Sequence, residues 1–152
     1  MLPIAYIIVI LCGAAGLALA DYIRRKKAAD DKLICPAGSD CEVVIYSKHS
    51  AFLGIPVETL GGIYYLLITL SYTFFLFFPN LNFDMFSFGI ILLTIIAFFF
   101  SIYLTFVQMM VLGQWCVWCL FSAMLCIIIF IIVWAGTELN LIEFINTATS
   151  IF

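Results

Sequence analysis

The chain has 152 residues, of which 66% are hydrophobic and 10% charged. A soluble domain is roughly 45–50% apolar, and one this small could not hide the excess, so lipid must solvate most of the chain. The net charge of -3 gives no case for nucleic-acid binding, and the length suits one domain over residues 1–152.

Pro3 to Ala20 is apolar and uncharged, and Tyr22-Ile23 extends it. A spanning helix takes about 20 such residues, so the first helix is expected over 3–23. It has no basic flank before it, and Asp21-Tyr22-Ile23-Arg24 after it is not a convincing cleavage site, so no cleavable signal is expected. Residues 24–50 form the only sizeable polar loop. Gly54-Ile55-Pro56 makes a turn, with Pro56 where a missing N–H costs little, and a second helix is expected over 57–78. Pro79-Asn80-Leu81-Asn82 reads as a short turn. A third helix is expected over 84–112, capped by Gly113, and a fourth over 115–136. The tail, 137–152, is mildly amphipathic and is expected on the membrane surface. The fold class is therefore an all-α membrane protein, a four-transmembrane-helix bundle with a cysteine-bearing loop between helices one and two. Four crossings put both termini on one side. They put the 24–50 loop and the junction of helices three and four together on the other.

That parity brings two cysteine pairs to one membrane face. Cys35 and Cys41 flank a segment whose Pro36 and Gly38 let it turn back and close a small ring. Cys116-Val117-Trp118-Cys119 opens the fourth helix. A spacing of three puts both thiols on one helix face, and the free N–H groups at a helix N-terminus favour a thiolate at Cys116. Cys116 is expected to face the water side, with Cys119 a turn deeper, where a quinone ring could dock. Two dithiols at a membrane surface suggest electrons passing from external thiols to a lipid-soluble acceptor. Two other readings stand beside it. Four thiolates could close a tetrahedral zinc site, although Cys119 lies deep for a loop-built site, or the pairs could be structural staples in a membrane scaffold.

Cys12 and Cys126 fall mid-membrane and read as small apolar residues. His49, the single histidine, reads as a loop residue, since thiol exchange needs no dedicated base. Glu58 either marks function, as ionisable groups in membranes often do, or complements a helix dipole. Phe98-Phe99-Phe100 reads as lipid contact.

The ordered set Cys35, Cys41, Ser47, Phe52-Leu53-Gly54-Ile55-Pro56, Gly61, Tyr65 and Cys116-Val117-Trp118-Cys119 resembles the vitamin K epoxide reductase family, especially its prokaryotic members. The resemblance covers nearly the whole chain. It implies a helix bundle around a quinone of ubiquinone or menaquinone type, oxidising a separate thioredoxin-like partner. By that pattern Cys35 meets the partner, Cys41 shuttles to Cys116, and Cys119 reacts with the quinone. Ser47 matches a loop serine near the active site. The same pattern places Val57, Glu58, Gly61, Tyr65 and Ala123 with Cys119 around the quinone. Val57 falls where vertebrate members carry a quinone-contacting asparagine, and Ala123 where they carry a tyrosine. Both departures favour quinone reduction over epoxide reduction.

All six basic residues, Arg24, Arg25, Lys26, Lys27, Lys32 and Lys48, lie in the cysteine loop, whereas the opposite face carries Asp84, Glu138 and Glu143. The positive-inside rule counts Lys and Arg and so turns the active cysteines toward the cytoplasm, with the exterior face as the alternative.

Overall fold

The computed structural model describes residues 3–32, 34–38, 41–79 and 84–151, leaving aside the side chains of 37, 84, 139–141, 143–145, 147, 148, 150 and 151. The expected turn at Asn80-Leu81-Asn82 and the carboxylates of Asp84 and Glu143 fall outside these described parts.

Helix α1 spans Pro3–Ala28. It runs past the expected end because Arg and Lys are good helix formers and basic side chains suit a helix C-terminus. Asp21 holds Arg24 at 3.7 Å and Arg25 at 2.7 Å. The cysteine loop then makes a 3-10 turn at Pro36–Gly38, a short helix α2 at Cys41–Ile45 and a second 3-10 turn at Lys48–Ser50.

The Gly54 turn proves to be a two-residue hairpin. Strand β1, Ala51–Phe52, pairs antiparallel with β2, Ile55–Pro56. Leu53 at φ 53° and Gly54 at φ 82° supply the two positive dihedrals that a tight hairpin of this twist requires. Pro56 then leads straight into α3, Val57–Phe77.

Helix α4 covers Asp84–Val107 and passes into a π-helical turn at Gln108–Leu112, closed by Gly113 at φ 60°. The left-handed cap falls at the expected glycine; the widened final turn was not expected. Helix α5 begins at Val117 and runs unbroken to Ile151. The tail is thus a continuation of the fourth helix and not a separate surface segment. No proline interrupts residues 137–152, and a helix already nucleated elongates readily.

Among the described residues, four helices are long and apolar enough to cross a membrane: Pro3–Ala28, Val57–Phe77, Met85–Leu112 and Val117–Glu138. Helix α1 packs along α3 and also touches α5, while α4 packs along α5. Small residues make the first contact possible, as is usual between membrane helices. A Cβ at Gly16 would lie 2.5 Å from the Tyr65 ring, and one at Gly13 would strike Thr69. Two buried clusters result. One fills the mid-membrane with Val9, Tyr65, Ile68 and Ile129. The other caps the bundle with Leu19, Ile23, Val44, Ile45 and two of the cysteines.

Candidate active site

Cys41 and Cys116 are both buried in that capping cluster, 1% and 0% exposed, with Cys35 and Cys119 packed at its edge. All four cysteines singled out in the sequence are therefore brought together. Cys41 is the first residue of α2, whose Val44 and Ile45 face inward onto Leu19 and Ile23. Burying those four aliphatic side chains seats the cysteine loop over the bundle, at about 1.5–3 kcal/mol for each fully buried side chain. Cys35 and Cys41 are joined by a disulfide, and Cys116 and Cys119 are free thiols.

Cys116 immediately precedes α5, and its carbonyl accepts the Leu120 N–H at 3.0 Å. The expected water-facing position of Cys116 is not what forms, since α2 and its loop cover the thiol. A hydrogen bond from the Cys119 thiol holds Cys116 below the ordinary thiol range. Burial opposes this, and the backbone N–H groups of Cys119 and Trp118 support it. A thiolate at the N-terminus of α5 is thus favoured, as the sequence suggested.

Trp118, between the two cysteines, ties them to the outer loop. Its indole N–H donates to the Ile34 carbonyl at 3.2 Å, and its ring lies 5.5 Å from that of Tyr22.

Beneath this cap is a cavity of about 390 Å³, within the range of small-molecule sites. Of the four paired cysteines, Cys119 alone lines it, together with Val57, Glu58, Gly61, Tyr65 and Ala123. The residues that the family pattern places around a quinone thus share one wall. Tyr65 is fixed by its hydroxyl, which donates to the Ser122 carbonyl at 2.8 Å and lies 2.9 Å from the Ser122 hydroxyl. Glu58 pairs with Lys27 at 3.1 Å, its side chain 8% exposed, and Lys27 also reaches Ser50 at 3.4 Å. This pair links the end of α1 to the start of α3 at the cavity. Glu58 sits in the first turn of α3 and lines the cavity. Ser47 donates to the Val44 carbonyl at 2.8 Å, pinning the loop after α2.

Several contributors to the wall were missed. Phe100, read as lipid contact, lines the cavity and meets Phe52 of the hairpin edge-on at 5.4 Å. The neighbouring Phe98 stacks on Phe130 at 4.2 Å, whereas Phe99 is exposed. Cys126 is buried and lines the cavity, Cys12 is half-buried, and His49 is an exposed residue at the cavity wall. Gln108 also lines the wall. Its signal was available: an amide within an otherwise apolar run. Among the described residues no three His, Cys, Asp or Glu side chains are grouped as a metal site would require.

The pattern of the Vitamin K epoxide reductase family matches residues 5–134, which take in all four site cysteines and nearly all of the four spanning helices. The chain belongs to that family. It is an integral, multi-pass membrane thiol-disulfide oxidoreductase. No individual curated protein matches it.

Proposed function

We propose that this family member takes electrons from a thioredoxin-like partner and passes them through Cys35–Cys41 and Cys116–Cys119 to a quinone. The observation that carries this reading is the placement of Cys119. It bonds toward Cys116 on one side and lines a largely apolar cavity on the other. A quinone of ubiquinone or menaquinone type fits that wall. It is a flat, uncharged, lipid-soluble molecule, and when bound it supplies an acceptor for two electrons and two protons.

The protein's own steps balance. A partner thiolate attacks the Cys35 sulfur, and the Cys41 thiolate leaves. The partner's second thiol resolves the mixed disulfide, so the partner is oxidised and Cys35 and Cys41 are reduced. Cys41 next attacks Cys116 of the inner disulfide, and Cys119 leaves as a thiolate. Cys35 resolves that bond and re-forms Cys35–Cys41. Finally the Cys116 thiolate closes on the Cys119 sulfur, and the two electrons and two protons of the inner dithiol pass to the acceptor. The arrangement described, with the outer pair joined and the inner pair reduced, is one station of this cycle.

The basic residues turn the cysteine face to the cytoplasm. The enzyme then introduces disulfides into cytosolic proteins, a compartment where stable disulfides are the exception.

The relay order is tested by trapping. A reduced thioredoxin-like donor whose second cysteine is replaced by alanine attacks the Cys35–Cys41 disulfide but cannot resolve the product, so it should accumulate as a mixed disulfide on Cys35 with Cys41 released as a thiol. Accumulation on Cys116 instead would overturn the order.

A further inference from the structure

Gln108 is 5% exposed, and its amide oxygen is buried with no hydrogen-bond partner among the described residues. A buried amide oxygen left unpaired is costly. Its chain neighbours Met109, Met110, Val111 and Leu112 show that bulk alone could be supplied without one. Gln108 opens the π-helical turn Gln108–Leu112 and lines the cavity that Cys119 reaches; such turns recur at functional sites.

Most other polar groups on this wall are already engaged. Ser122 faces the Tyr65 hydroxyl, Thr105 donates to the Ser101 carbonyl at 2.9 Å, Ser47 donates to Val44, and Glu58 holds Lys27. The Tyr64 hydroxyl, beside Thr94 and Cys126, is buried without a hydrogen bond of good geometry and lines the same cavity. The Gln108 amide oxygen is thus an unpaired polar atom on a wall of mostly aliphatic and aromatic side chains. Rotating a glutamine amide exchanges its oxygen and its NH₂, so Gln108 can donate. A quinone carries carbonyl oxygens, which only accept, on an apolar ring.

We propose that the Gln108 side-chain amide donates a hydrogen bond to a carbonyl oxygen of the quinone in this cavity, which makes Gln108 a determinant of quinone binding. The proposal rests on the quinone reading above. It also assigns the polar contact to α4, whereas Val57 and Ala123 are apolar members of the same wall.

The test uses the full chain in detergent and a short-tailed ubiquinone carrying ¹³C at its carbonyls. In wild type the labelled carbonyl stretch should fall below that of free quinone. In Gln108→Met it should return toward the free value, with the dissociation constant raised about fivefold, as expected for one lost hydrogen bond. Without quinone, Gln108→Met should be as heat-stable as wild type or more so, because an unpaired buried group has been replaced by an apolar one. Gln108→Leu serves the same comparison if the Met variant does not fold. If wild type reduces ubiquinone but the carbonyl band and affinity ignore Gln108, this inference fails and the functional reading stands. A ligand-free loss of stability in both variants would make Gln108 structural and also overturn the inference. If wild type binds no labelled quinone, both fall together.

Discussion

The Trp118 indole N–H donates to the Ile34 carbonyl across 3.2 Å, so a residue inside the inner cysteine pair holds the backbone beside the outer one. Trp118→Phe keeps a ring against Tyr22 and removes the donor. A single hydrogen bond of this kind contributes about 1 kcal/mol. Electron passage from Cys35–Cys41 to Cys116–Cys119 should therefore slow roughly fivefold, read by rapid quenching and thiol trapping. An unchanged rate would show that the contact does not set the approach of the pairs.

The Lys27–Glu58 pair should matter for stability, because Glu58 is nearly buried and Lys27 only partly exposed. Removing one partner leaves a charge poorly solvated, so Lys27→Met should cost about 1–3 kcal/mol, below the figure for a fully buried pair. The double variant Lys27→Met/Glu58→Gln should lose less than the sum of the two single changes. Thermal unfolding in detergent measures all three, and simple additivity would remove the pair from the account.

Close packing at Gly16 predicts a second stability effect. A methyl group there meets the Tyr65 ring, which is also held at Ser122. Gly16→Ala should destabilise by about 1–3 kcal/mol through overpacking and, by shifting Tyr65, weaken quinone binding. Tyr65→Phe, which keeps the ring and loses its hydroxyl, should cost about 1 kcal/mol. Gly16→Ala with wild-type melting and wild-type quinone affinity would contradict this packing.

The Cys116 thiol is held below the ordinary range chiefly by the Cys119 thiol. A thiolate therefore persists to lower pH than in a free cysteine, whose pKa is about 8.5. It is lost as pH falls through the depressed value, and closure of the inner disulfide should slow over that same window. In a Cys35→Ala/Cys41→Ala background with the inner pair reduced, ultraviolet thiolate absorbance should titrate below 8.5. Adding Cys119→Ala should move the midpoint up, whereas an unmoved midpoint would assign the effect to the helix N-terminus alone.

Much of this was legible in the sequence because lipid imposes long apolar runs, and Pro3–Ala20, the runs after Pro56 and Asp84, and the Cys-Val-Trp-Cys motif mark four crossings directly. Helix parity then put both cysteine pairs on one face. What could not be read depends on tertiary contact. Cys116 is buried because α2 folds over it, and nothing in the local spacing near Cys116 encodes that cover. Phe98, Phe99 and Phe100 are alike in sequence, yet they face Phe130, the exterior and the cavity respectively. The π-turn at Gln108 shifts the register of the last turn of α4 without a proline or glycine inside it to signal the change.

The proposed orientation rests on charge. No Lys or Arg lies outside residues 24–48, so a C-terminal alkaline phosphatase fusion should be active outside the cytoplasm. Moving Arg24 to Lys27 to the turn near Asn80 should invert it. A cytoplasmic C-terminus in the unaltered protein would place the cysteines on the exterior face.

The central claim is a relay of electrons through four cysteines to quinone. The most direct measurement is quinone reduction by the purified protein with a reduced thioredoxin-like donor, in wild type and in Cys35→Ala, Cys41→Ala, Cys116→Ala and Cys119→Ala. The account predicts turnover in wild type and its loss in all four variants. Cys119→Ala turning over at the wild-type rate, or wild type leaving the quinone oxidised, would contradict it.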